Sequence, residues 1–96
     1  MLSKEQIENT IFNLKPILQK QFSVEKIGYF GSYAREDQNE FSDLDILVSF
    51  EKPIGWAFFD LQELLESELK IKIDLVSINA LKQQLRNSIL QEVKYV

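Results

Sequence analysis

The chain has 96 residues, 45% of them hydrophobic, and it contains neither cysteine nor histidine. This length fits one domain with one core, and the missing residue types exclude disulfides, thiolate or imidazole metal sites and serine–histidine catalysis. The net charge of −4 disfavours direct binding to nucleic acid and favours a basic protein partner or a metal-neutralised nucleotide.

The first half of the chain predicts a long helix, a strand and a short helix. Ser3 and Gln6 form a capping-box pattern, and an apolar stripe predicts a helix over residues 3–21, although Pro16 would be expected to kink it. Residues 25–31 are predicted to be a strand that ends in glycine. A short helix over residues 32–37 and a polar loop over residues 38–42 follow.

The second half alternates strands and helices. Alternating apolar residues predict strands over residues 43–50 and 70–77, and helical spacing predicts helices over residues 56–69 and from Ile78 to near the C-terminus. The order is αβαβαβα. Residues 1–96 are therefore predicted to form a single α/β (α+β) domain, a small mixed sheet of about three strands flanked by helices. The aromatic cluster Trp56, Phe58 and Phe59 is expected to lie in the core.

Nothing in the sequence indicates a membrane. No segment approaches the ~20 apolar residues that span a bilayer, and the N-terminus lacks the apolar stretch of a secretory signal. We therefore expect a cytoplasmic protein without membrane contact.

Three aspartates stand on predicted strands, where aspartate is uncommon. Asp43 and Asp45 are spaced i and i+2, which projects them from one face of the strand, and Asp74 interrupts the apolar residues 73–76. If the two strands are neighbours, all three acids share a face and suit Mg²⁺, which prefers oxygen ligands and substrate phosphates. The alternatives are a strand-entry acid at Asp43 and solvent-facing acids at Asp45 and Asp74.

Gly31 and Ser32 follow the first predicted strand. Glycine lets the backbone approach an anion, and donors at the start of the next helix, with the serine hydroxyl, can hold a phosphate. The alternative is an ordinary strand-end glycine with a serine N-cap.

Taken together, residues 31–35 (GSYAR), a polar spacer and residues 42–48 (SDLDILV) resemble the signature of the DNA polymerase beta type nucleotidyltransferase superfamily. Residues 72–76 stand where this family has its third acid, and residues 90–92 resemble its terminal helix, so the resemblance covers nearly the whole chain. It implies the polymerase-beta-like fold. One departure is Glu36, which stands where the family often has glycine and adds negative charge near the proposed phosphate site.

The resemblance also implies roles for individual residues. Asp43, Asp45 and Asp74 would be catalytic and hold Mg²⁺, and Gly31 and Ser32 would lie against the triphosphate. Arg35 is a weaker candidate for neutralising phosphate, because a surface salt bridge to Glu36 or Asp37 is at least as good an account of it.

The short chain resembles the minimal nucleotidyltransferase branch, antitoxins paired with HEPN-domain toxins. This implies transfer of AMP from ATP, or of a nucleotidyl group from another NTP, to a tyrosine of a cognate HEPN ribonuclease with which the chain forms a hetero-oligomer. Two alternatives stay open. The chain could neutralise the toxin by binding alone, or it could modify a small molecule such as an aminoglycoside.

Overall fold

The computed structural model describes residues 2–96. Helices and strands alternate along most of the chain, in the order α1 (Lys4–Phe22), β1 (Val24–Phe30), α2 (Ser32–Arg35), β2 (Leu44–Phe50), α3 (Ala57–Leu69), β3 (Ile73–Ser77), a 3-10 turn (Ile78–Ala80), α4 (Gln83–Glu92) and β4 (Lys94–Tyr95).

Helix α1 begins with the predicted capping box. The Ser3 hydroxyl accepts a hydrogen bond from the Gln6 backbone N–H, and the Gln6 side chain accepts one from the Ser3 N–H. The helix is continuous through Pro16, so the proline does not break it. Pro16 is exposed, and a carbonyl left without its usual partner on this face can be hydrated.

The four strands form one mixed sheet in the order β3-β2-β1-β4. Strand β1 pairs antiparallel with β2 and with β4, whereas β2 pairs parallel with β3. In the parallel ladder Asp45 lies opposite Asp74. Strand pairing therefore brings together two acids that are 29 positions apart in the sequence.

Helices α1 and α3 cover one face of this sheet. Their apolar sides and the core-facing strand residues form a continuous buried cluster, which includes Ile11, Leu65 and, on β2, Leu44, Ile46 and Val48. Side chains alternate along a strand, so Asp45 points to the opposite face. The apolar residues of β2 thus fix the strand to the core, while Asp45 lies on the opposite face of the sheet.

The C-terminal prediction was wrong in two respects. The segment from Ile78 is not one helix: the 3-10 turn is followed by extended backbone at Leu81 and Lys82, and α4 ends at Glu92. Residues 94–95 then pair with β1, which makes four strands instead of about three. Gly28 permits this approach, because a Cβ atom there would lie 2.6 Å from the Lys94 carbonyl oxygen.

Two smaller expectations were also corrected. Strand β3 begins at Ile73 rather than at residue 70, because the chain leaves α3 through a left-handed Lys70 with φ of 57°. The aromatic cluster is not in the core: Trp56 is 85% exposed and Phe59 is 58% exposed, while Phe58 is partly buried against Phe50. Among residues 2–96, no helix is long and apolar enough to cross a bilayer.

Candidate active site

The predicted acids lie at the start of β2 and on the neighbouring strand β3. Asp45 is half-buried and Asp74 is exposed beside it, on the sheet face that points away from the α1–α3 core. Asp43 is exposed and directly precedes β2, so it enters the strand on the same side as Asp45. The prediction that the acids share a face is confirmed for this pair of strands.

The environment of Asp45 disfavours its charged form. Partial burial raises the pKa of the Asp45 carboxyl to about 6, and the Asp74 carboxylate contributes next, by repulsion and by a hydrogen bond. Asp43 adds further repulsion, and only Arg35 opposes the shift. The site is thus short of positive charge, which a bound cation would supply.

The donor set fits a hard dication, although it does not complete a metal site. Within residues 2–96, no three acidic side chains are gathered closely enough to hold an ion by themselves. All the available ligands are carboxylate oxygens, and Mg²⁺ is commonly bound by one or two carboxylates with substrate phosphates and water. Asp45 and Asp74 are therefore the carboxylate pair that would hold Mg²⁺ together with a nucleotide.

Gly31 is required by the carboxylate next to it. A Cβ atom at this position would lie 2.0 Å from Asp45 Oδ2, so any other residue here would force the Asp45 carboxylate to move. Its φ of 73° and ψ of −150° also belong to a region that only glycine adopts readily. The sequence-based account emphasised room for an anion, whereas the structure adds room for Asp45 itself.

Ser32 begins the short helix α2 and is half-buried. The carbonyl of Gly31 accepts hydrogen bonds from the N–H groups of Ala34 and Arg35, which turns the chain directly after β1. Gly31 and Ser32 therefore lie beside the end of the sheet that carries Asp45.

Arg35 is bound to two carboxylates rather than left free in solvent. Its Nη1 donates to Glu92 Oε1 at 2.6 Å and its Nε donates to Asp37 Oδ2 at 3.1 Å. These bonds raise the pKa of Arg35, that to Glu92 most. The predicted salt bridge to Asp37 is confirmed, whereas that to Glu36 is not formed.

Glu36 has a left-handed backbone conformation of the kind that glycine adopts most readily. It ends α2 in the left-handed region with φ of 66°, which costs a side-chain-bearing residue roughly 1–2 kcal/mol. Its carboxylate lies 3.5 Å from Lys4 Nζ on α1. The extra negative charge is therefore partly offset by a lysine, in an exposed pair of small energy.

Sequence reasoning assigned no role in the site to Glu92. Its Oε2 accepts a hydrogen bond from the Gly31 N–H at 3.1 Å, so one carboxylate contacts both Gly31 and Arg35. A contact across 61 positions leaves no local pattern in the sequence. A second missed contact lies beneath the site, where buried Tyr29 donates to Glu8 Oε2 at 2.5 Å.

A separate groove lies outside this site. It has a volume of about 270 Å³ and is lined by residues of α1, β1 and the C-terminus, among them Lys15, Ile27 and Tyr95. None of the six predicted site residues lines it. The chemistry argued from the acids therefore belongs to the open surface at β2 and β3.

Comparison with known proteins agrees with this geometry. Residues 13–96 match the family described as polymerase beta, nucleotidyltransferase. The chain belongs to this family.

Individual relatives narrow the class. The chain is 43% identical to the protein adenylyltransferase MntA of Thermococcus cleftensis over 97 residues, which cover 100% of this chain and 98% of the relative. A crystal structure of a toxin-antitoxin with AMP-PNP superposes with a TM-score of 0.75 at 29% identity, covering 92% of this chain and 70% of the other. A mutant of the toxin-antitoxin MntA-HpeT gives the same TM-score and coverage at 27% identity. The chain is therefore a nucleotidyltransferase similar to protein adenylyltransferases.

Proposed function

We propose that the chain is an antitoxin that transfers AMP from ATP, with Mg²⁺, to a tyrosine of a cognate HEPN ribonuclease toxin in the cytoplasm. The observation that carries the proposal is the pairing of Asp45 with Asp74 across the parallel β2–β3 ladder, with Gly31 directly against Asp45. The similarity to a protein adenylyltransferase and to toxin-antitoxin structures supports a protein acceptor and a hetero-oligomer.

Separate residues of the site contact the phosphates of the nucleotide and the metal ion. Gly31 and Ser32 lie against the triphosphate, and Arg35 is near enough to the acids to lower the pKa of Asp45, so it can also offset phosphate charge. When bound to the aspartates, Mg²⁺ screens the charge that develops on the phosphates. Holding the reactants in line supplies the rest of the catalysis, as in other phosphoryl transfers.

The reaction is a displacement at phosphorus. The phenolic oxygen of the acceptor forms a bond to the α-phosphorus of ATP, the bond from that phosphorus to the bridging oxygen breaks, and pyrophosphate leaves. Asp74 is exposed at the open side of the pair and can take the phenolic proton. The small domain offers little surface of its own beyond the acids, so the toxin would provide the other wall of the site.

The test is intact-mass measurement after incubation of the chain with Mg²⁺, each NTP and the purified cognate toxin. We expect ATP to add one or more AMP units to the toxin, with loss of the gain in Asp43→Asn and in chelator. Asp60→Asn is the matched control, because Asp60 is exposed on α3, which covers the opposite face of the sheet. Mapping the modified peptide would identify the acceptor residue.

A second candidate, neutralisation by binding alone, is favoured by one observation: the Arg35 guanidinium is already bound to Glu92 and Asp37. This candidate predicts that Asp43→Asn and Asp45→Asn still protect cells from the toxin. Protection by these folded variants, with no mass gain from any NTP, would overturn the transferase proposal. Transfer to a small acceptor by the isolated chain would instead favour a small-molecule enzyme.

A further inference from the structure

Glu92 joins the C-terminal helix to two predicted phosphate-binding residues. It is the last residue of α4, and its two carboxylate oxygens are used separately: Oε2 accepts from the Gly31 N–H and Oε1 accepts from Arg35 Nη1. The Glu92 side chain is 23% exposed and its bond to Gly31 is partly buried, whereas Arg35 is 52% exposed and its bond to Glu92 lies at the surface.

The rest of α4 contributes little to the core. No residue of α4 is fully buried, and of its apolar side chains only those of Ile89 and Leu90 are half-buried. The bonds made by Glu92 are therefore specific links between a loosely packed helix and the turn that follows β1. They also hold the Arg35 guanidinium between two carboxylates, because Asp37 binds its Nε.

We infer that Glu92 is a positioning residue for the nucleotide: it holds the Gly31-Ser32 turn and the Arg35 side chain in the orientation that binds the phosphates of ATP. The inference rests on the proposed function and deepens it. Glu92 does not contact the reacting atoms in this account. It acts through Gly31 and Arg35, and a misplacement of such groups by about 1 Å is enough to cost about 100-fold in rate.

The change Glu92→Gln separates positioning from simple electrostatics. Glu92 uses a different oxygen for each bond, and glutamine has nearly the same shape but an NH₂ donor in place of one oxygen, so in this arrangement it can keep only one of the two hydrogen bonds. Removing a negative charge beside an anion site should by itself strengthen ATP binding. A positioning role predicts the opposite: ATP affinity falls about tenfold, a size typical of lost supporting contacts around a site.

The measurement is calorimetric titration of ATP with Mg²⁺ into the chain alone, followed by the KM for ATP and kcat in the transfer reaction with the toxin. Glu63→Gln is the matched control, because it removes the same charge from an exposed position on α3. We expect Glu92→Gln to weaken binding and to raise the KM for ATP more than it lowers kcat, and the control to leave both unchanged. Faster exchange of the Gly31 amide in Glu92→Gln would verify that the bond exists in solution.

A double variant tests whether Glu92 acts on ATP binding through Arg35. In an Arg35→Ala background one of the two contacts is already missing, so Glu92→Gln should cost less than half of its loss in the native chain. Glu92→Asp keeps the charge on a shorter side chain and should give an intermediate loss, which provides a second variant if glutamine impairs folding.

Equal or tighter ATP binding by folded Glu92→Gln overturns the inference, and leaves the proposed function intact if the native chain still transfers AMP. Failure of the native chain to transfer AMP to the toxin in the presence of ATP and Mg²⁺ overturns the proposed function, and the inference with it. A fall in melting temperature without any change in ATP affinity assigns Glu92 a purely structural role and also overturns the inference.

Discussion

Replacing Asp45 by asparagine is expected to stabilise the metal-free protein while abolishing transfer. The folded state raises the pKa of this carboxyl from 3.8 to about 6, mainly by burial and then through Asp74. Above pH 6 the native chain must therefore hold an unfavourable negative charge. Asparagine has the same shape without that charge, so its benefit appears at neutral pH.

The magnitude follows from the pKa difference. A shift of about two units corresponds to about 3 kcal/mol, which we reduce to about 1 kcal/mol because Asp45 is only half-buried and partly screened by solvent. For a domain of this size, this raises the melting temperature by about 5 °C. The folded state binds the Asp45 proton more tightly than the unfolded state. The contribution of Asp45 to the free energy of unfolding of the native chain therefore falls as the pH rises from about 4 to about 6, and it is constant above pH 6.

The assay is thermal unfolding of both proteins by circular dichroism, in chelator, at several values between pH 4 and pH 7.5. The stability difference should be largest at pH 7.5 and should vanish near pH 4, where both side chains are neutral. Glu40→Gln changes the net charge equally at an exposed loop position and should show no such trend. A variant that is no more stable than the native chain at pH 7.5 would refute the reasoning. Mg²⁺ with ATP should stabilise only the native chain, because ligands that bind the folded state shift unfolding.

Four further substitutions test local features of the fold. Gly31→Ala should cost about 1–3 kcal/mol in backbone strain and about 100-fold in transfer rate, because its Cβ would displace Asp45. Gly55→Ala has a similar positive φ but open space around its Cβ, so urea unfolding should show a loss of about 1 kcal/mol with transfer unchanged. Gly28→Ala should detach β4, seen as faster exchange of the amides that pair with β1; unchanged protection would contradict this role. Ser3→Ala removes the cap of α1 and should lower the free energy of unfolding by about 1 kcal/mol, which would appear as a lower urea midpoint at an unchanged m-value.

Local patterns were sufficient for the elements that build the site. The capping box and apolar stripe of α1 depend on residues three and four positions apart, and the strand alternation that puts Asp43 and Asp45 on one face has a period of two. Such patterns are properties of neighbouring residues, and so they can be recognised before the chain is folded. The main motifs of the family resemblance similarly lie close together in the sequence, within residues 31–48.

The C-terminal region shows why other features could not be predicted in the same way. The apolar spacing from Ile78 onward is compatible with one helix, but the chain instead makes a turn, a shorter helix and two strand residues. The free edge of β1 accepts Lys94 and Tyr95 because Gly28 has no side chain there. The extended conformation of Lys94 and Tyr95 is therefore favoured only when β1 is already part of the folded sheet.

The sequence by itself determined the class of chemistry. A chain without cysteine or histidine, with aspartates at positions 43, 45 and 74 and a glycine-serine turn, has few catalytic groups other than carboxylates and a bound hard metal ion. Only the tertiary structure decided which groups meet. It paired Asp45 with Asp74 through the strand order β3-β2-β1-β4 and brought Glu92 to Gly31. The physical reason is that these contacts join residues 29 and 61 positions apart, and their free energy depends on packing of the whole core rather than on any local pattern.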